Sequence, residues 1–258
     1  MRGGVSFPLY AATWLFTLLI VHCHAKVVPY LQPGFSFGYD GPQQAVALPV
    51  TAQCELVRLK WSRGKATGVF IVRAPTAQIS KFPLMPLARS SASPYIIAAG
   101  PGPSFEWQVP FAPQTQYQIC MYDNFGVSGG CQAMRTMVAS PTNVTSCQNV
   151  TSLPSLPVST SLDDPSKPVT QLPVISQCEQ FSVSATTGQA PYTLTIAPSR
   201  HPPVNISSSS AQIDWTVALP EGFPFFASVT SADGLFWSRG PLYVDGTGST
   251  DCLAPGSM

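Results

Sequence analysis

Gln53-Cys54-Glu55 opens a run of strict alternation, Leu56-Val57-Arg58-Leu59-Lys60-Trp61-Ser62, and the same tripeptide returns as Gln177-Cys178-Glu179 ahead of Gln180-Phe181-Ser182-Val183-Ser184-Ala185. In the first run Val57, Leu59 and Trp61 fall on one side and Arg58, Lys60 and Ser62 on the other, the period-2 pattern of a half-buried strand. In the second, 124 residues later, Phe181, Val183 and Ala185 alternate with Ser182 and Ser184. A glycine turn follows each run at the same offset (Gly64, Gly188), then a second apolar stretch, Val69 to Val72 or Tyr192 to Ile196. Each segment closes on a further cysteine.

The two copies come back into register farther along at an offset of 108: Trp107 with Trp215, Val109 with Val217, Tyr117 with Phe225, Met121 with Val229 and Gly126 with Gly234. Phe105, Trp107, Val109 and Phe111 alternate, as do Ile213, Trp215, Val217 and Leu219, and the turns Ala112-Pro113-Gln114 and Pro220-Glu221-Gly222 lead into the next strands. The change of offset is absorbed by a Pro/Ser/Ala segment over 74–104 that is shorter in the second copy, which closure entropy tolerates because it grows only with the logarithm of loop length. The expected fold is therefore all-β: two tandem immunoglobulin-like β-sandwich domains joined by a Ser/Thr/Pro linker.

The remaining sequence fits around these two units. Only 10% of residues are charged, while 27 Pro and 19 Gly favour short strands and many turns. Residues 1–25 read as a secretory signal: Arg2, then the apolar run Ala11 to Val21, then Cys23-His24-Ala25 as a small-x-small cleavage site. That run is about half the roughly 20 apolar residues a membrane span needs. Residues 26–52 read as an irregular lead-in with an edge strand, 53–147 as the first sandwich, 148–170 as the linker and 171–258 as the second sandwich. A proline-rich linker of this kind is semi-extended at about 3 Å per residue and would hold the sandwiches several tens of Å apart. Six residues follow Cys252, with neither an apolar tail nor a second spanning run, so the mature chain is expected to be soluble and extracellular, without a membrane span.

Secretion fixes the reading of the cysteines. Once Cys23 leaves with the signal, Cys54, Cys120, Cys131, Cys147, Cys178 and Cys252 remain, an even set in an oxidising compartment. Six cysteines allow fifteen connectivities, and sequence alone does not choose among them. The repeat points to Cys178 with Cys252 and, by analogy, Cys54 with Cys147, leaving Cys120 and Cys131 to flank the turn Asp123-Asn124-Phe125-Gly126. Asn143, Asn149 and Asn205 each begin an N-glycosylation sequon, which is used only in the secretory route.

From Cys178 onward the chain carries Pro191-Tyr192-Thr193-Leu194, the aromatic-centred strand Ile213 to Val217, a Pro-Glu-Gly turn, Ser231-Ala232-Asp233-Gly234 and a closing Asp251-Cys252-Leu253. This pattern resembles the extracellular sandwich domains of secreted or wall-associated fungal surface proteins. More distantly it is similar to the immunoglobulin-like domain of Ser/Thr-rich fungal cell-wall proteins linked to β-glucan assembly. The likeness covers 178–253 well and 54–147 less well: Thr67-Gly68 stands where the second copy has Pro-Tyr, and the first copy adds Cys120 and Cys131. It implies a secreted structural or adhesive protein that meets cell-wall polysaccharide or another surface protein, with no catalytic residues and no cofactor.

Side chains for chemistry are scarce. His201, in Arg200-His201-Pro202-Pro203, is the only histidine left after cleavage at Ala25, and no G-x-S-x-G elbow accompanies it. Glu106, Asp123, Asp214 and Asp233 have no spacing that pairs them for glycoside hydrolysis. Cleavage after Cys23 would instead leave His24 as an N-terminal histidine, the residue that holds copper in secreted fungal sandwich oxygenases, with His201 as its second imidazole. The stronger alternative is carbohydrate binding, in which Phe236, Trp237 and Tyr243, with Phe223 and Phe226 in the preceding turn, stack against sugar rings. Residues 26–147 carry nine Lys/Arg against four Asp/Glu, and 178–258 two against six. Such a dipole suits docking on anionic polymer, although charges this sparse read first as solvated faces. Neither motif nor charge supports nucleic-acid binding.

Overall fold

A computed structural model describes residues 33, 35–39, 49–62, 70–74, 76–78, 95–100, 102–123, 125–147, 153–163 and 173–254. The signal, the loop around Gly64 and Asn149 lie outside the described residues. The N-terminal half forms β1 (Ser36–Tyr39), β2 (Val50–Ala52), β3 (Leu56–Ser62), β4 (Phe70–Ala74), β5 (Thr76–Gln78), β6 (Tyr95–Gly100), β7 (Ser104–Gln108), β8 (Thr115–Tyr117), β9 (Cys120–Tyr122), β10 (Ser128–Cys131) and β11 (Arg135–Val138). The C-terminal half forms β12 (Val158–Thr160), β13 (Val174–Ser176), β14 (Gln180–Ala185), β15 (Tyr192–Pro198), β16 (Val204–Ser208), β17 (Gln212–Thr216), β18 (Pro224–Thr230) and β19 (Phe236–Asp245).

The alternation in sequence becomes alternation in burial. Strand β3 is exposed and buried by turns along its whole length, and β14 follows the same rhythm. β3 lies between β1 and β7 in one sheet, as β14 lies between β12 and β17. Opposite β3, the sheets β10-β9-β4-β6 and β2-β11-β8-β5 use consecutive pieces of the same strands, β4 with β5, β8 with β9 and β10 with β11. In the C-terminal half each such pair is a single strand, giving the order β13-β19-β18-β15-β16. In both halves the short early strand runs parallel to the last one, β2 to β11 and β13 to β19. This is the immunoglobulin-like sandwich arrangement.

Each half has its own core. Trp107 meets Tyr117 edge-on at 6.4 Å, and at the matching place Trp215 meets Phe225 edge-on at 5.7 Å. The registers agree, since Val57 is opposite Trp107 and Phe181 is opposite Trp215. One matched pair differs in chemistry. The hydroxyls of Thr51 and Tyr117, both fully buried, share a 2.6 Å hydrogen bond, whereas Ile175 and Phe225 fill the same places with hydrocarbon.

The Gln-Cys-Glu tripeptide is the turn between the two sheets. Cys54 and Cys178 adopt the left-handed conformation, at φ 64° and 58°, which redirects the chain from β2 or β13 into β3 or β14. The Glu55 carboxylate accepts the Ala52 amide at 2.7 Å, and Glu179 accepts that of Ser176 at 3.1 Å. Both cysteine amides donate across to the opposite strand, Cys54 to Val109 at 2.9 Å and Cys178 to Val217 at 3.0 Å. Disulfides then tie each turn to its segment's end, Cys54 to Cys147 and Cys178 to Cys252, while Cys120 is bonded to Cys131.

The expected lead-in and the expected linker both contribute strands. The lead-in 26–52 supplies two strands, β1 against β3 and β2 against β11, and buries Phe35 over Gly129, where the Phe35 ring occupies the space of a Cβ. The expected linker 148–170 is built into the C-terminal sandwich over 153–163. Leu156 is fully buried there, its amide donates to Phe236 O at 2.8 Å, and Asp163 pairs with Arg239 at 2.7 Å. Three- and four-residue strands are too short to show a period in sequence, and one buried leucine gives no pattern.

Candidate functional site at the joint of the two sandwiches

The expectation that the halves stand tens of Å apart is not met: they touch, through side chains that point away from their own cores. Along 117–122 Tyr117, Ile119 and Met121 enter the N-terminal core, which leaves Gln118, Cys120 and Tyr122 on the outer face. Along β18 Phe225, Ala227 and Val229 enter the C-terminal core, which leaves Phe226 outside. These outer faces meet. Cys120, Tyr122 and Cys131 form a third apolar cluster with Ala197 and Phe226, with Met134 packed at its side.

Polar groups at the contact are matched across it. Gln118, 1% exposed, donates through Nε2 to Pro198 O at 3.1 Å. The Cys131 amide donates to His201 O at 3.0 Å, and the Met134 amide to Ser199 Oγ at 3.2 Å. Gln118 and Phe226 are equivalent positions at the 108-residue offset, so the two halves meet through corresponding faces. The hairpin cysteines have counterparts too: Cys120 lies opposite Cys131 as Ser228 lies opposite Ser238. The sandwich fold needs no cystine at that place.

Burial sets the electrostatics of this region. It pushes the His201 imidazole below its ordinary pKa, and the ring stacks on Phe223 at 5.1 Å. Burial raises the Tyr243 phenol, against a smaller lowering by Gln116. At the edge of the C-terminal sandwich, burial alone would raise the Asp163 carboxyl, but the Thr160 amide and hydroxyl and the Arg239 guanidinium together hold it below its usual value.

The aromatic trio does not form one platform. Phe236 is buried, Trp237 packs against the C-terminal core, and Tyr243, between the buried Leu242 and Val244, faces the opposite way toward the joint. A register shift in the β18–β19 pairing between Phe225 and Ala227 separates the two phases. Phe223 lies beside His201, and Phe226 is inside the joint. Asn143 is exposed in a turn, and Asn205 is exposed on the edge strand β16, its Oδ1 accepting from Thr195 at 2.7 Å. The carboxylates are dispersed: Glu106 is 3.6 Å from Arg58, Asp214 bonds Gln212, Asp233 bonds Ser231, and Asp123 caps its own loop through the Phe125 and Val127 amides. Among the described residues no three His, Cys, Asp or Glu come together as a metal site, and no helix is long and apolar enough to cross a membrane.

Sequence reading missed the joint. Its signal was a break in alternation, with Phe226 beside Phe225 and Ala197 beside Ile196, two adjacent apolar residues where only one can face a core.

No family model matches the chain, and no curated protein matches it. Among solved structures it is similar to a segment of two fibronectin type-III domains from chicken tenascin, at 14% identity over 80% of this chain and 97% of that one, with a TM-score of 0.26. It is similar to dimeric latent PorU from Porphyromonas gingivalis, at 13% identity over 84% of this chain and 24% of that one, TM-score 0.26. A third is the chicken CNTN1 FN1-FN3 segment, at 13% identity over 84% of this chain and 62% of that one, TM-score 0.21.

Proposed function

We propose that this is a secreted, glycosylated, non-enzymatic protein of the fungal cell surface or matrix, whose two tandem sandwich domains act together as a stiff structural or adhesive unit. The observation that carries the reading is the joint: an apolar cluster and matched hydrogen bonds hold the two sandwiches together. Three disulfides support an oxidising compartment, and exposed Asn143 and Asn205 are open to glycan transfer. The fungal setting rests on the sequence resemblance alone. Carbohydrate binding through Phe236, Trp237 and Tyr243 is not favoured, because the three do not share a face. The copper alternative gains nothing from His201, which stacks on Phe223 beside the joint.

Expression with its own leader in a fungal host, followed by fractionation and intact-glycopeptide mass spectrometry, tests this. Recovery from the medium or wall fraction, starting at Lys26, with oxidised cysteines and glycan on Asn143 or Asn205 is the expected result. Retention inside the cell with free thiols would overturn it.

A further inference from the structure

The hairpin disulfide is the most deeply covered of the three. Cys120 is 2% and Cys131 5% exposed, whereas Cys54, Cys147, Cys178 and Cys252 are half-buried. From its own sandwich, Tyr122 and Met134 share the apolar cluster around this outward-facing cystine. Here Ala197 and Phe226 of the other sandwich roof it, and the Cys131 amide is bonded across to His201 O. Thiol exchange requires a thiolate to reach a sulfur, so access to this bridge depends on the joint.

The dependence runs in both directions. Two sulfurs that are no longer bonded need van der Waals separation, and the closed joint is packed against both of them. Overfilling a packed contact is destabilising. By linkage, any shift that closure imposes on the reduction equilibrium of the bridge is matched by an equal shift that reduction imposes on closure.

We propose that the Cys120–Cys131 cystine is a clasp sealed inside the joint, reducible by a dithiol only after the two sandwiches part. A reductant thiolate attacks one cysteine sulfur, the S–S bond breaks and a mixed disulfide forms. The reductant's second thiol displaces that sulfur, leaving as a cyclic disulfide while Cys120 and Cys131 take up the two electrons and two protons. This inference is independent of where the protein is located or what it adheres to.

The test uses the oxidised full chain in dilute dithiothreitol, sampled over time by alkylation and peptide mass mapping of each bridge. The clasp is expected to be the last of the three to open. Ala197→Arg wedges a long cation into the joint without entering the C-terminal core, and should speed opening of the clasp at least tenfold while leaving Cys54–Cys147 and Cys178–Cys252 unchanged. If that variant unfolds its own sandwich, Cys178–Cys252 accelerates as well. Gln118→Ala, which removes the bond to Pro198 O and the buried side chain that makes it, then decides by the same criterion. A clasp that opens as fast as the other bridges, or at a rate the deciding variant does not alter, overturns the proposal.

Discussion

The buried hydroxyl pair of the N-terminal core gives the sharpest test that the two sandwiches are one design with different fillings. Thr51 and Tyr117 are both fully buried and bonded at 2.6 Å, where the C-terminal core places Ile175 and Phe225. Tyr117→Phe removes one hydroxyl and takes from Thr51 its closest partner, leaving the longer 3.4 Å contact from Arg135 Nη1. A buried polar group deprived of its partner costs about 1–3 kcal/mol, and the Arg135 contact places this variant near the lower end, at about 1 kcal/mol. Thr51→Val takes the same partner from Tyr117 and an acceptor from Arg135, and should cost about 2 kcal/mol. Replacing both hydroxyls restores the all-hydrocarbon arrangement, so the double variant should lose less than about 1 kcal/mol, because removing both partners together is close to neutral. Urea unfolding of the four proteins, with midpoints compared at constant m, gives the coupling energy directly. Single losses that simply add in the double variant would refute the equivalence.

Other consequences follow from the same geometry. Replacing Cys178 and Cys252 by Ala opens a loop with a sequence separation of 74, which by chain entropy lowers stability by about 4.5 kcal/mol, measured as a fall in urea midpoint. Gly248 lies against the Gln177 backbone, where a Cβ would overlap the carbonyl oxygen. Gly248→Ala should therefore displace the Gln177-Cys178-Glu179 turn and lower the thermal midpoint, whereas Gly222→Ala has open space and only its positive φ to overcome. Asp163 has a lowered folded pKa, so the stability it supplies with Arg239 is present above its unfolded value and is lost as pH falls through the folded one; Asp163→Asn should remove that acid-side slope, at a cost of about 1 kcal/mol near neutrality. His201 is a base whose folded pKa is also lowered. The folded state then binds fewer protons than the unfolded one, and stability falls as pH drops below about 6.5 toward the folded value. A His201→Gln protein whose thermal midpoint keeps that slope would show another group to be responsible.

What could be read from the sequence was what repeats with a period. Val57, Leu59 and Trp61, and the matched Trp107 and Trp215, announced strands and cores because each strand has one buried face. Gln-Cys-Glu was legible as a frame, although the left-handed cysteine and the glutamate cap that explain it appear only in three dimensions. The joint was not legible. Gln118, between β8 and β9 and flanked by the core residues Tyr117 and Ile119, reads as solvated until the other sandwich is laid over it, and contacts between residues about 80 apart in sequence leave no local trace. The segment 148–170 reads as linker because the hold of 153–163 on the C-terminal sandwich rests on Leu156, a three-residue strand and the Asp163–Arg239 pair, none of which makes a pattern. The aromatic trio failed as a platform because alternation across an irregular strand cannot be counted through its register shift.

Small-angle X-ray scattering of the oxidised, deglycosylated mature chain measures whether the two sandwiches are held together at the joint. A clasped pair should approach the radius of gyration of a single compact body of this length, about 18 Å. Sandwiches held apart by an extended segment over 148–170 would give about 30 Å, and that value would contradict the account.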